Sequence, residues 1–379
     1  MKKILIVFGT RPEAIKLAPV IHKLLSKPSQ FHTKICVTSQ HKEMLEQVLH
    51  LFQLTPDYDL QIMKKDQSLY DVTASGLRQM ENLFNSEKPD MVLVQGDTNT
   101  TFTASLASYY QKVQIGHVEA GLRTQDKYNP FPEEMYRRLT DHLADLCFAP
   151  TQKAKENLLK EGKEEKRVFV IGNTVIDSLL YIKEKQKDRK IQTLLKSRLK
   201  NDYGVEFDRE RLILVTLHRR ESFGPDIENI CEGFKKIAEK YPQLKIIWPV
   251  HLNPRVQSPV KNILGDVKNI FLINPLDYHL FVWMMNRAYL ILTDSGGIQE
   301  EAPSLGKPVL VVRKSTERPE GLEAGTSKLV GVDGERIVLE TSYLLDTDKA
   351  YQKMAQTANP YGDGTASEKI ISALIQDWI

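Results

Sequence analysis

The sequence predicts an α/β protein made of two Rossmann-like, doubly wound parallel-sheet domains that face a cleft. Two observations lead there. Short, near-continuous apolar runs alternate with amphipathic stretches from end to end, which is how strands buried on both faces by helices read. The alternation also comes as two successive series in 379 residues, a length that favours two cores over one.

The first series has strand-like runs at Ile4–Phe8, Lys34–Thr38, Met91–Gln95, Val113–His117, Leu146–Ala149 and Val168–Ile171. Between them lie helix-like stretches such as Ala14–Lys27, Lys42–Phe52, Leu69–Asn85 and Thr100–Gln111. The second series has runs at Leu212–Leu217, Lys245–Pro249, Ile270–Ile273, Tyr289–Thr293, Val309–Val312 and Lys328–Val330. Gly172–Asn173 marks the boundary, and the charged stretch Lys183–Arg211 reads as exposed helix and loop. The turn cluster Asn359–Gly364 precedes a last helix, Ala366–Trp378, expected to cross back to the first domain. The domains are therefore 1–172 with 365–379, and 173–364.

Composition excludes several classes. Hydrophobic content of 41% and charged content of 27% are ordinary for a globular protein, and a net charge of +3 argues for neither nucleic acid nor membrane. Cys36, Cys147 and Cys231 are widely spaced, as buried free thiols in a reducing compartment would be. The chain enters a strand at once, without a signal peptide or a run of about 20 apolar residues, so a cytoplasmic location is expected. No G-x-G-x-x-G follows a strand and no G-x-x-x-x-G-K-[ST] occurs, which disfavours nicotinamide, flavin and P-loop chemistry. No dense His, Cys or carboxylate cluster suggests a metal. No cofactor is expected.

The most informative stretch is Leu290–Leu310. A buried strand ends in Asp294-Ser295-Gly296-Gly297, and a short helix starts near Ile298. Paired glycines let a ligand approach the backbone, and the first free amides of the helix favour an anion such as a diphosphate. Glu300 and Glu301 fall in the next turn, where a carboxylate accepts from a ribose diol. An ordinary βα turn capped by Ser295 is the alternative. At the start of the chain, Gly9-Thr10-Arg11-Pro12-Glu13-Ala14-Ile15-Lys16 is a strand-to-helix turn. Arg11 and Lys16 put positive charge at a helix N-terminus, which is unfavourable unless an anion offsets it.

Three carboxylates lie at successive strand ends of the first series. They are Asp97, in Gln95-Gly96-Asp97-Thr98; Glu119, in His117-Val118-Glu119-Ala120-Gly121-Leu122-Arg123; and Glu133 or Glu134, after Pro130-Phe131-Pro132. Asp97 alone equally fits a helix cap. Together the three converge on one crevice and point to acid–base work. In the second series His218, with Arg219 and Arg220, ends the first strand, and His251 ends the second. Arg318 follows the strand after the glycine turn.

These motifs, with His218–Glu221, Thr293–Pro303, Thr316–Glu320 and Asn359–Gly364, resemble the non-hydrolysing UDP-N-acetylglucosamine 2-epimerases over essentially the whole chain. The resemblance implies the two-domain architecture of the GT-B glycosyltransferases and a homodimer. It implies interconversion of UDP-N-acetylglucosamine and UDP-N-acetylmannosamine without NAD, by elimination of UDP to 2-acetamidoglucal and re-addition, supplying N-acetylmannosamine units for cell-surface polysaccharide. It assigns Arg11, Lys16, Arg137, His218, Ser295, Gly296, Gly297, Glu301 and Arg318 to the UDP-sugar. It assigns Asp97, Glu119 and Glu133, with His218, to catalysis. It links Gln40, Glu43 and His251 to an activating second UDP-N-acetylglucosamine. Gln95 stands where many members have His, and Tyr136 where Asn is common. A GT-B glycosyltransferase, a hydrolysing epimerase and a UDP-sugar sensor are the competing classes.

Overall fold

The structure is a computed structural model that describes residues 1–39, 42–63, 66–207, 210–219 and 224–378. The chain divides into two compact units, Met1–Ser178 with Gly362–Ile379, and Leu179–Tyr361.

The first unit holds strands β1 (Lys2–Phe8), β2 (Phe31–Val37), β3 (Tyr58–Asp59), β4 (Met91–Gln95), β5 (Gln114–Val118), β6 (Leu146–Ala149) and β7 (Val168–Val170). They form one sheet in the order β3-β2-β1-β4-β5-β6-β7, and every pairing is parallel. Its helices are α1 (Arg11–Leu25), α2 (Lys42–Leu51), α3 (Leu69–Glu87), α4 (Asn99–Tyr110), α5 (Glu133–Leu143), α6 (Gln152–Lys160), the start of α7 (Thr174–Lys185), and α16 (Ala366–Asp377).

The second unit holds α8 (Arg189–Tyr203), β8 (Leu212–Thr216), α9 (Pro225–Lys240), β9 (Lys245–Pro249), α10 (Pro254–Leu264), β10 (Ile270–Ile273), α11 (Tyr278–Arg287), β11 (Leu290–Thr293), α12 (Gly296–Glu301), β12 (Val309–Val311), α13 (Pro319–Ala324), β13 (Ser327–Leu329), α14 (Gly334–Asp346) and α15 (Asp348–Ala355). Its sheet runs β10-β9-β8-β11-β12-β13, again parallel throughout. Both expected parallel sheets are therefore present.

The strands are buried because helices cover both faces. Residues 4 to 8 of β1 and 212 to 215 of β8 are all buried. One core gathers Val7, Val94, Ile115 and Cys147 with Met80 and Phe84 of α3; the other gathers Val215, Trp248 and Leu292 with Phe234 of α9. Cys36, Cys147 and Cys231 are free and buried, as expected. Burial raises all three thiols, Cys147 and Cys231 to about 12. β3 has no counterpart in the sequence reading. Its two residues carry no apolar run and pair only with the end of β2.

In each sheet the strand order reverses once, between β1 and β4 and between β8 and β11. Loops leaving the carboxyl ends of such a pair diverge and open a crevice. No helix among the described residues is long and apolar enough to cross a membrane.

The return of the chain to the first unit is pinned by Asp177 of α7. Its carboxylate accepts from Ala366 N at 3.2 Å, Ser367 N at 2.8 Å and Ser367 Oγ at 2.6 Å. It thus serves the first turn of α16, which has no side-chain cap of its own. Replacing it leaves buried donors unmet. Asp177→Ala should lower stability by about 1–3 kcal/mol, measured by urea unfolding.

Candidate active site

In the first unit the crevice lies between β1 and β4. The loop after β1 folds by a capping box: Thr10 Oγ1 accepts from Glu13 N, and the Glu13 carboxylate accepts from Thr10 N at 2.8 Å and Gly9 N at 3.0 Å. The other Glu13 oxygen takes Thr98 Oγ1 at 2.6 Å, from the loop after β4, and Thr101 Oγ1 at 3.1 Å, from the first turn of α4. Glu13 thereby ties the two loops together. Burial raises its proton affinity, opposed by the hydrogen bonds of Thr98, Thr10 and Gly9.

Glu119 follows β5 and is 8% exposed. Its backbone is left-handed, with φ of 67°, a conformation that costs a residue with a Cβ about 1–2 kcal/mol. Lys16 Nζ lies 2.6 and 2.7 Å from its two oxygens. Asn173 Nδ2 donates at 3.0 Å, and Gln95 Nε2 donates to the second oxygen. Gln95 therefore holds Glu119 directly through a neutral amide. Asp97 pairs with Arg137 Nη2 at 2.5 Å. It does not cap α4. That role falls to Thr98, whose hydroxyl accepts from Thr101 N at 3.1 Å, because Thr98 is the residue at the N-cap position.

The structure also separates the pair that opens α5. Glu134 is fully buried, accepting from Thr124 N and Arg138 Nε, both at 3.1 Å. Glu133 is half-buried and makes no hydrogen bond or ion pair among the described residues. Tyr136 packs its ring on Phe102, with centroids 5.2 Å apart, and its hydroxyl accepts from Asn99 at 3.0 Å.

In the second unit the crevice lies between β8 and β11. Asp294, fully buried, accepts from His218 N and Arg219 N, both at 2.8 Å. Its other oxygen lies 3.1 Å from His218 Nδ1, off hydrogen-bond alignment. This leaves the His218 ring about half exposed, with His251 alongside at 6.3 Å between centroids. Ser295 occupies the N-cap position of α12 but its hydroxyl caps nothing, so a serine-capped turn is not what this loop is.

The two glycines are not demanded by the protein's own packing. A Cβ on Gly296 would come no closer than 3.5 Å to Glu317, and one on Gly297 no closer than 3.7 Å to Glu301, both ordinary contacts. Each would, however, crowd the approach to the first amides of α12.

Both acids of α12 are buried, and Glu300 is held within the protein. Arg318 Nε donates to it, and it is 3% exposed. Glu301 instead accepts from Tyr278 Oη at 3.2 Å, and burial together with that carboxylate raises the Tyr278 hydroxyl well above the usual phenol range. Burial would raise Glu317, but Arg219 and Arg313 hold it down at about 2.

Arg11 opens α1, half-buried. Glu43 is exposed in the first turn of α2 in the first unit, and His251 is exposed in the second. Gln40 and Arg220 lie outside the described residues. Sequence reasoning missed Asn173, Asp141 and the side chain of His117. The available signal was His117 itself, a polar residue inside an apolar strand buried on both faces, which has to find partners.

A parallel sheet whose switch-point loop carries an uncrowded diglycine turn belongs to the nucleotide-binding α/β proteins. Comparison with known proteins narrows that class. The family described as UDP-N-acetylglucosamine 2-epimerase matches residues 23–375. A UDP-N-acetylglucosamine 2-epimerase of Campylobacter jejuni is 52% identical over 377 residues, 99% of this chain and 98% of that protein. The crystal structure of UDP-GlcNAc 2-epimerase from Neisseria meningitidis bound to UDP-GlcNAc is 48% identical, with a TM-score of 0.89 over 99% of this chain and 100% of that one. The Methanocaldococcus jannaschii UDP-GlcNAc 2-epimerase in complex with UDP-GlcNAc and UDP is 37% identical, with a TM-score of 0.78 over 98% and 99%. The chain belongs to the UDP-N-acetylglucosamine 2-epimerase family.

Asp294→Ala removes the acceptor shared by two backbone amides. The variant should lose about 1–3 kcal/mol of stability, read as a lower urea midpoint at unchanged slope.

Proposed function

We infer that this chain epimerises UDP-N-acetylglucosamine at carbon 2 to UDP-N-acetylmannosamine, by elimination and re-addition of UDP through 2-acetamidoglucal. The observation that carries this reading is Glu119, a carboxylate kept in left-handed backbone and gripped by Lys16, Gln95 and Asn173 at the carboxyl edge of its sheet. Backbone strain of this kind persists where the surroundings over-determine it, and clusters at working sites. The ligand named for the Neisseria and Methanocaldococcus structures supports the choice of substrate.

The hydrogen on carbon 2 is not adjacent to a carbonyl, so a carboxylate alone cannot remove it readily. Departure of UDP gives carbon 1 oxocarbenium character and acidifies that hydrogen. In the second unit the amides of Gly296 and Gly297, with Ser295, His218 and Arg318, receive the diphosphate and stabilise the leaving group. Glu301 accepts from the ribose. The family resemblance also gives Arg11 and Lys16 to the UDP-sugar. Asp97, Glu119 and Glu133 carry protons to and from carbon 2, and inversion needs two of them on opposite faces. General acid–base catalysis of this kind contributes about 10²–10⁴-fold. Glu133, which has no partner among the described residues to give up, suits proton transfer. Arg137 holds Asp97 and completes the sugar site.

Action as a homodimer, a cytoplasmic location and supply of N-acetylmannosamine units for cell-surface polysaccharide are parts of the same proposal and rest on the family resemblance.

In D₂O both UDP-sugar isomers should gain one deuterium, at carbon 2 only. Oxygen label should scramble between bridging and non-bridging positions of the sugar-linked phosphate, because the anomeric C–O bond breaks. Nuclear magnetic resonance reads both, and epimerised product with neither change excludes the elimination route. Glu301→Ala should weaken UDP binding about 5- to 150-fold, the equivalent of about 1–3 kcal/mol for an unmet hydrogen bond. Titration calorimetry checks it, and an unchanged affinity removes the ribose role.

A further inference from the structure

We propose that His117 is a positioning residue that sets the place of Asp97 relative to Glu119, an inference that rests on the proton-carrying role given to Asp97 above. His117 lies in β5 and is completely buried. Its Nε2 is 2.7 Å from the carbonyl oxygen of Gly96. A carbonyl has only lone pairs to offer, so Nε2 bears the hydrogen and donates. That carbonyl belongs to the peptide plane leading directly into Asp97.

The sheet does not supply this bond. The pairing of β4 with β5 ends at Gln95 opposite Val118. Gly96 lies beyond it in left-handed backbone, φ 75°, with its own amide donating to Val118 O at 3.0 Å. The side chain of His117 thus satisfies a carbonyl that the strand ladder leaves over.

The imidazole is itself locked. Nδ1 lies 2.7 Å from Asp141 Oδ1. Asp141 Oδ2 accepts from Gly121 N at 3.1 Å and pairs with Arg123 Nη1 at 2.8 Å. Arg123 also grips Glu161 through Nε, at 2.8 Å. Only glycine fits at 121, since φ is 87° and a Cβ there would meet Ala154 O at 2.3 Å.

The network therefore spans the two loops that bear proton carriers. One end holds the peptide before Asp97, and the other holds the 119–123 turn that begins with Glu119. Helix α5 anchors both ends of Asp97. Asp141 fixes its backbone through His117, and Arg137, one turn earlier on the same helix, pairs with its carboxylate. Displacing a reacting group by about 1 Å can cost about a hundredfold in rate, so a rigid tie at this point controls turnover more than affinity.

Two isosteric replacements separate this role from a general structural one. The amide nitrogen of His117→Gln falls near Nε2 and can still donate to the Gly96 carbonyl. That of His117→Asn falls near Nδ1 and reaches only toward Asp141. Both remove the ring and neither carries charge. His117→Gln should stay within about threefold of the parent kcat, while His117→Asn should fall at least about tenfold below it. For both, KM for UDP-N-acetylglucosamine and UDP affinity by calorimetry should hold within about twofold, and the two unfolding midpoints should agree. Equal kcat in the two variants, or kcat that tracks the unfolding midpoint, overturns the inference. Should His117→Asn not fold, Asp141→Asn replaces it: reduced kcat at constant KM supports the tie, and parent kcat overturns it. Asp97→Asn is run in parallel. If that variant keeps near-full turnover, the proton-carrying role of Asp97 fails, whatever the His117 variants do.

Discussion

A buried carboxylate at the point where each sheet reverses its strand order is the interaction on which the rest of the molecule depends. Diverging loops at such a point have no ladder to hold them, and their amides need acceptors. In the first unit Glu13 supplies two oxygens to five donors drawn from both loops and the first turn of α4. In the second, Asp294 accepts the amides of His218 and Arg219 across from its own strand. These acids are structural, and their being spent on backbone leaves the neighbouring side chains, Lys16 and His218 among them, directed to other work. A carboxylate buried this deeply needs its acceptor capacity met, which Glu13 achieves at both oxygens and Asp294 at one.

The two crevices differ in what they can do. The first is dominated by side chains, with a lysine, two amides and an arginine arranged around Glu119 and Asp97. The second is dominated by backbone, with the diglycine turn and the amides ordered by Asp294. Backbone amides suit the recognition of an anion that is the same in both isomers. Charged side chains suit proton transfer, because their protonation can change within a turnover.

Much of the fold was legible because parallel strands covered on both faces cannot hide. Ile4–Phe8 or Leu290–Leu292 has no polar position to disguise it. β3 was not legible, since Tyr58–Asp59 is an edge pairing of two residues that makes no apolar run. The carboxylates were found by their place at strand ends, yet spacing alone could not separate Glu133 from Glu134. That distinction depends on Thr124 and Arg138, which come from a loop and from the next turn of α5. Asp97 read equally as a cap because Asp and Thr are both good N-caps. Which of two adjacent residues takes the cap is decided by backbone torsion, and Arg137 takes the aspartate. Lys16 was placed by its charge near a helix start, but its pairing with Glu119 joins residues 103 positions apart that no local pattern connects.

The dependence of α16 on Asp177 has a consequence for how the chain is made. The first unit consists of residues 1–178 and 362–379, so its final helix is synthesised only after the whole of the second unit. At about 5–20 residues per second, translation of the intervening segment takes roughly 10–40 s. For that time α1 lacks the helix that packs against it, and Asp177 lacks the amides it will accept. The second unit, being continuous, has all its strands before the first is finished. The first unit is thus completed only after the second, when α16 packs on α1 and its first amides meet Asp177.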